Sequence, residues 1–263
     1  MKSAIKRMVP KPLRNAAWRF LDGFPNPYTF RPRRFALSVV YAKRKWMGEL
    51  EIEMHPYFLE KWVRPDKVAL DIGANIGCYS YALSKICRNV EAFEPNPLVA
   101  EVLQSHGAHN IRVHIVGLSS SEGFAELHIP IVNGIPRYGC GSLSQVFGAS
   151  EERFTVPVKR LDDFGFTDIS FVKIDVEGHE AEVLKGGEAT LRRWMPALLI
   201  EIEQRHMACP VTEVFSIPLG WGYKGFYLDE GQEHPISEFS VAQHQTPFSP
   251  TDPRYINNFL FRV

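Results

Sequence analysis

The run Val68-Ala69-Leu70-Asp71-Ile72-Gly73-Ala74-Asn75-Ile76-Gly77 constrains what this chain can fold into more than any other stretch. Its apolar first half reads as a strand buried on both faces, as in parallel sheets, and the residues after Gly77 read as a helix. A glycine-rich turn between such a strand and helix lets a ligand lie against bare backbone at the carboxyl edge of a sheet. Asp71 decides which ligand. It precedes the first glycine, whereas the dinucleotide fingerprint has glycine first and an acid about 20 residues later. A carboxylate inside the turn repels a pyrophosphate and favours a cationic or amino-bearing ligand.

The segment Asn89-Val90-Glu91-Ala92-Phe93-Glu94 reads as the next strand and ends on a second acid. Glu94 lies 23 residues beyond Asp71, about one strand–helix–strand step. A carboxylate there accepts both ribose hydroxyls of a nucleoside, each such hydrogen bond being worth about 1.5–3 kcal/mol. Each acid alone is equally at home ending a strand in a solvated loop. The pair at this spacing, with glycines between, points to a nucleoside with a cationic amino-acid end, such as S-adenosylmethionine.

Strand and helix patterns then alternate. The helix after the turn carries Tyr79, Ala82, Leu83 and Ile86 as one apolar stripe. Asn96 and Pro97 supply a cap and a first-turn proline for the next helix, which is expected to bury Leu98, Val99, Val102 and Leu103. Further core strands are expected at 111–116, 169–174 and 197–202, with a helix over 177–184 closed by Gly186-Gly187. Late strands at 223–228 and 259–262 read as an antiparallel edge hairpin. Residues 55–63 read as a short helix, either a candidate lid or simply packing. Between 117 and 160 the alternation breaks: short strands at 124–129 and 154–158 flank a glycine-rich stretch, 133–142. A hairpin-like excursion carrying a mobile loop is expected there.

This order predicts an α/β three-layer sandwich, with a mostly parallel sheet and an antiparallel edge hairpin. Right-handed crossovers would put the strand-end acids Asp71, Glu94, Asp175 and Glu201 or Glu203 along one crevice.

Composition narrows the setting. Residues 1–45 hold 12 Lys and Arg against one acid, Asp22, while the chain as a whole has 30 basic and 30 acidic residues. Residues 1–50 are therefore expected to form a basic appendage to a domain spanning 51–263. The appendage suits an anionic membrane surface or a phosphorylated substrate, and equally a solvated lead-in packed on an acidic body. A helix is expected at 14–21. Nucleic acid is not an expected partner, given the near-neutral balance. The four cysteines, Cys78, Cys87, Cys140 and Cys209, show no zinc-ligand spacing and read as reduced thiols. With no run of 18 apolar residues and no apolar stretch behind the basic start, neither a spanning helix nor a secretory signal is expected. The reading is cytoplasmic, with a membrane-peripheral option through the basic arm. Oligomeric state is left open.

Several blocks together resemble the FkbM family of S-adenosylmethionine-dependent methyltransferases. They are Asp71-Ile72-Gly73-Ala74-Asn75-Ile76-Gly77, Phe93-Glu94-Pro95-Asn96-Pro97, Arg160-Leu161-Asp162-Asp163, Val172-Lys173-Ile174-Asp175-Val176-Glu177-Gly178-His179-Glu180, Val183-Leu184-Lys185-Gly186-Gly187 and Leu199-Ile200-Glu201-Ile202. The resemblance covers roughly residues 48–205. It implies the Rossmann-like class I methyltransferase fold, a seven-stranded mostly parallel sheet with its last strand antiparallel. It also implies methyl transfer to oxygen, commonly a hydroxyl of a sugar, glycan or related natural-product scaffold, and it carries no particular acceptor.

Site roles follow from these positions. Gly73, Asn75 and Gly77 are expected to wrap the amino-acid end of S-adenosylmethionine. Asp71 either orients the turn or meets the amino group, and Glu94 holds the ribose. Gly117, Leu118 and Ser119 are expected to flank the adenine. Asp175, Glu177 and His179 form the candidate catalytic cluster, Asp175 either taking the acceptor's proton or orienting His179. Glu177 and Glu180 are equally placed to offset a helix dipole. Arg137, Tyr138 and Ser142 are expected to meet the acceptor, and His55 and His206 read as exposed-loop residues with weaker claims. Asp175 with Glu201 or Glu203 could instead hold Mg²⁺, which is an option but not expected. The competing readings are a dinucleotide-dependent oxidoreductase, which the turn opposes, an RNA methyltransferase, and a non-catalytic partner that keeps the fold and tethers by its arm.

Overall fold

The computed structural model describes residues 56–263 apart from 106–107, 149, 230–231, 251 and 253. The expected appendage, its helix at 14–21 and His55 lie outside the described residues. In chain order the strands are β1 (Val68–Ile72), β2 (Asn89–Phe93), β3 (Ile111–His114), β4 (Gly117–Leu118), β5 (Gly123–Val132), β6 (Ile135–Pro136), β7 (Glu151–Lys159), β8 (Ile169–Ile174), β9 (Ala197–Glu201), β10 (Lys224–Asp229), β11 (Gln232–Pro235) and β12 (Asn258–Arg262). The helices are α1 (Pro56–Leu59), α2 (Cys78–Ser84), α3 (Pro97–Ser105), α4 (Glu180–Gly186), α5 (Glu188–Trp194), α6 (Val211–Gly220) and α7 (Val241–His244).

The main sheet runs β11-β10-β12-β9-β8-β1-β2-β3. Strands β3, β2, β1, β8 and β9 are parallel, and β12 inserts antiparallel between β9 and β10. The seven expected strands are present, and the antiparallel strand Gln232–Pro235 adds an eighth at the edge. Strand β1 is buried at all five positions, Asp71 included, as expected for a mostly apolar strand inside a parallel sheet. One face of the sheet packs Phe58, Leu83, Val99 and Leu199 in a core with α1, α2 and α3. The other packs Val172, Leu184, Leu191 and Phe215 with α4, α5 and α6.

The structure settles two local expectations. Phe58 and Leu59 have no exposed surface and Val63 almost none, so the segment around α1 is core packing rather than a lid. Leu98 is exposed, and Ala100 takes the inward place expected for it.

The excursion between β3 and β8 is a separate four-stranded sheet, β4-β7-β5-β6. Its long strands β5 and β7 pair antiparallel from Gly123↔Val158 to Pro130↔Glu151 and bury Leu127, Ile129 and Val156 in a core of their own. Because β4 follows directly on the end of β3 and β7 pairs with it, this sheet stands against the carboxyl edge of the main one.

Phe171 on the central strand β8 has no exposed surface and faces the α1–α3 core. Phe171→Ala is expected to lower the unfolding free energy by about 3–5 kcal/mol, read as a lower urea midpoint with an unchanged slope.

Candidate active site

The turn after β1 is built by backbone. Gly73 and Ala74 both donate their N–H to the Phe93 carbonyl, at 3.0 and 2.9 Å. Gly73 has φ +78, and a Cβ on it would lie 1.7 Å from the Asp175 carbonyl oxygen. Only glycine therefore lets this turn touch the end of β8. Glu94 closes the other side: its carboxylate accepts the Asn75 N–H at 2.9 Å and the Asn96 N–H at 2.8 Å. Asn96 also caps α3, its Oδ1 accepting the Leu98 N–H at 3.1 Å.

A cleft with about 620 Å³ of empty space, partly open to solvent, lies over this turn. Gly73, Asn75, Glu94, Gly117, Leu118, Tyr138, Asp175 and Glu177 all line it, together with Phe93 and Val116. Six expected site residues do not. Asp71, which is buried, sits behind the turn, where Ser80 Oγ of α2 donates to its Oδ2 at 2.5 Å. Of the two roles open to Asp71, the geometry favours orienting the turn. Gly77 starts α2, and Arg137 is exposed on the excursion.

Ser119, Ser142 and His179 form a clamp. Ser142 has no exposed surface, and its Oγ donates to the Glu177 carbonyl at 2.6 Å while accepting the Ser144 and Gln145 N–H groups. His179 spans the same seam, Nδ1 at 2.7 Å from Ser144 Oγ and Nε2 at 3.0 Å from Ser119 Oγ. Both ring nitrogens are thus engaged away from the cleft, and burial pushes the imidazole pKa down. This corrects the catalytic role expected of His179, the acceptor role of Ser142 and the adenine contact of Ser119. It also corrects the mobile loop, because residues 139–145 are hydrogen-bonded into a fixed wall. Gly117 serves that wall as well, since a Cβ there would meet Leu143 Cδ1 at 2.9 Å.

Glu177 is not helical. It has φ +53, Gly178 follows with φ +95, and α4 begins only at Glu180. A non-glycine residue in this region stores strain of about 1–3 kcal/mol, and here it delivers the Glu177 carboxylate to His206 Nδ1 at 2.9 Å. His206 is therefore packed, not an exposed-loop residue. Glu203, also beside His206, accepts both a 2.7 Å and a 2.9 Å hydrogen bond from Arg205. Ligand atoms of Glu177, Glu203 and His206 lie within 4.8 Å of one another, with Glu203 held by the two Arg205 hydrogen bonds and Glu177 beside His206.

Sequence reasoning missed Lys173. It has no exposed surface, and its Nζ lies among Glu201, Asp175 and Asn258. The signal was there: a lysine inside an otherwise apolar strand two residues before its terminal acid. His206 carried no such signal, because its partner comes from a loop 29 residues earlier.

Burial dominates the electrostatics. It raises Asp71 to about 6 against the Ser80 hydrogen bond and the Lys173 charge. It raises Glu94 to about 7 despite two backbone N–H donors, and Glu180 to about 7 despite the Gly178 N–H. Glu203 moves the other way, because its hydrogen bonds and the Arg205 charge outweigh burial. The cleft thus joins a backbone turn, the Glu94 carboxylate fixed by two backbone N–H groups, and the partly exposed carboxylates of Asp175 and Glu177.

Residues 71–223, more than half of the chain, match the family model for the methyltransferase FkbM domain. Over 181 residues the chain is 28% identical to the 2-O-methyltransferase NoeI of Sinorhizobium fredii, covering 62% of this chain and 72% of that protein. It is 30% identical over 153 residues to methyltransferase sdnD of Sordaria araneosa, covering 44% of this chain and 59% of that one. The crystal structure of methyltransferase FkbM from Methylobacillus flagellatus is similar at a TM-score of 0.47 and 18% identity, over 79% of this chain and 50% of that one. The chain thus spans about half to three quarters of the length of these relatives.

Glu180 gives a pH-dependent prediction. Its folded pKa of about 7 lies above the ordinary 4.5, so its protonated form favours the fold. That contribution is full below about pH 4.5 and is lost as pH rises through about 7. Glu180→Gln keeps an acceptor for the Gly178 N–H without the charge. Relative to the native chain it is expected to gain on the order of 1–3 kcal/mol between pH 4.5 and pH 8, measured by urea unfolding at both values.

Proposed function

The chain belongs to the FkbM family of S-adenosylmethionine-dependent methyltransferases, and from that premise we propose that it methylates a hydroxyl oxygen of a sugar, glycan or related natural-product acceptor. The observation that carries the reading is the cleft itself, in which Glu94 and the Gly73–Asn75 backbone face Asp175 and Glu177 across one space. The relative from Sinorhizobium fredii, named a 2-O-methyltransferase, supports oxygen as the acceptor atom.

The residues present fit the cofactor. Each Glu94 oxygen accepts one backbone N–H and keeps a second lone pair for a ribose hydroxyl. Phe93, Val116 and Leu118 offer an apolar wall for the base, and the turn offers bare backbone to the amino-acid end. When bound, the cofactor supplies an electrophilic methyl group on a sulfonium.

The chain's own work is placement and proton handling. Asp175, one third exposed, takes the proton of the attacking hydroxyl at a carboxylate oxygen. Glu177, held by His206, orients the acceptor by accepting a second hydroxyl. Tyr138, whose phenol donates to Glu152 at 3.1 Å, closes the acceptor side and shields the reacting atoms from water. Holding the two reacting atoms in line is worth about 7–11 kcal/mol of the barrier.

Glu94→Ala is expected to weaken S-adenosylhomocysteine binding by about 100-fold or more, measured by calorimetry. Asp175→Ala should keep that affinity within about tenfold and lower turnover by about 10²–10⁴-fold. Turnover is read as labelled methyl transferred to a panel of glycosides and nucleotide sugars. Tight NAD(P) binding without S-adenosylhomocysteine binding, or wild-type turnover in both variants, would sink the reading.

A further inference from the structure

Lys173 stands in a strand whose neighbouring positions are Phe171, Val172 and Ile174, and it is as buried as they are. An ammonium taken out of water costs several kcal/mol unless it is paired and hydrogen-bonded. The pairing comes from three strands besides its own. Nζ lies 3.6 Å from Glu201 Oε2 at the end of β9 and donates to Asn258 Oδ1 of β12 at 3.2 Å. It lies 3.9 Å from Asp175 Oδ2, just past the end of its own strand. Asp71 on β1 is its register neighbour and feels its charge. The Tyr79 ring covers the ammonium at 5.1 Å. Of the three carboxylates around it, Asp175 alone lines the cleft.

Asp175 needs such a partner. Its charge is felt by Glu94 in the loop after β2, by the Cys140 thiol after β6 and by Glu180 at the start of α4. Glu177 lines the same cleft, and Asp71 and Glu201 share Lys173 with it. Its own charge helps to raise Glu94 and Glu180. Crowded carboxylates drive one another toward the neutral acid, and a neutral acid cannot take a hydroxyl's proton.

We propose that Lys173 is the positioning residue of the methyl-transfer site, its buried ammonium holding the Asp175 carboxylate in place as an anion. The inference rests on the role given to Asp175 above. Lys173 itself never meets the acceptor. It fixes the carboxylate that does, and it ties that carboxylate to the ends of β9 and β12.

The test uses the full chain labelled isotopically at the aspartate carboxyl carbons, with D175N identifying the Asp175 signal by NMR. In the native chain that signal is expected to stay ionised from about pH 9 down to about pH 6. In K173M its midpoint should rise by about one unit or more, a tenfold change, while K173R holds it within about half a unit. The acid limb of the kcat profile should move with it, with KM for S-adenosylmethionine changed less than about threefold. A native chain whose Asp175 is protonated near neutral pH would overturn the proposal, and that measurement stands even if K173M does not fold. So would a folded K173M that titrates like the native chain, or a K173R that shifts as far as K173M. Failure of the underlying reading looks different: the native chain would not bind S-adenosylhomocysteine, or D175N would turn over normally, whatever the titration shows.

Discussion

The backbone contact between Gly73 and the end of β8 is the constraint from which the rest of the site follows. With 1.7 Å between a notional Cβ at 73 and the Asp175 carbonyl oxygen, no side chain fits. The contact is held from both sides: the Asp175 N–H donates to the Ile72 carbonyl at 2.9 Å, and the turn's first two N–H groups converge on Phe93. Three neighbouring strands therefore end at one point. Glu94 and Asp175 flank the turn because β2 and β8 are the strands on either side of β1, not because either acid seeks the other. Each backbone hydrogen bond is worth only about 0.5–1.5 kcal/mol net. Left unmade in a buried place it costs more than that, so the arrangement behaves as a unit.

Having fixed the acids in place, the fold must manage their charge. Asp71 is raised to about 6 and Glu94 to about 7, both chiefly by burial. What offsets this is short-range and specific: Ser80 on Asp71, two backbone N–H groups on Glu94, Lys173 between Asp71, Asp175 and Glu201. The Glu177–His206 and Glu203–Arg205 pairs do the same at the next strand end. The acids that line the cleft are Glu94, Asp175 and Glu177, while Asp71 lies behind the turn on Ser80.

What the sequence disclosed and what it concealed divide along a physical line. The core strands were legible because a strand buried on both faces is dominated by apolar residues, and 169–174 was read with both bounds correct despite Lys173. Glu94 and Asp175 were legible because topology alone sends strand-end acids to one edge. Contacts between segments distant in sequence were not. The neighbours of Glu177, Ser142 and His179 on the chain say nothing of His206, Ser144 or Ser119. His179 was misread because a histidine beside three acids looks like a base until the two serines on its ring nitrogens are seen. The expected helix starts three residues late, at Glu180, because Gly178 has φ +95 and no room for a Cβ against the His206 carbonyl, 2.5 Å away.

The two sides of the cleft are made by different means, and this bears on how one family holds a single cofactor and varied acceptors. The floor consists of backbone and strand-end acids of the main sheet, where almost any substitution disturbs the core. The opposite wall belongs to the β4–β7 sheet, which has its own small core of Leu127, Ile129 and Val156. It is joined to the floor through Ser142 on the Glu177 carbonyl, His179 between two serines, and Asn75 Nδ2 on the Gly139 carbonyl. None of these joints uses the side chains of Tyr138 or Leu143, which nonetheless line the cleft. Both pack against that small core, and the Tyr138 phenol donates to Glu152, so they fill the wall without forming its joints to the floor. On the reading of the cleft as a methyl-transfer site, acceptor choice then resides in the wall, and cofactor binding in the floor that positions it.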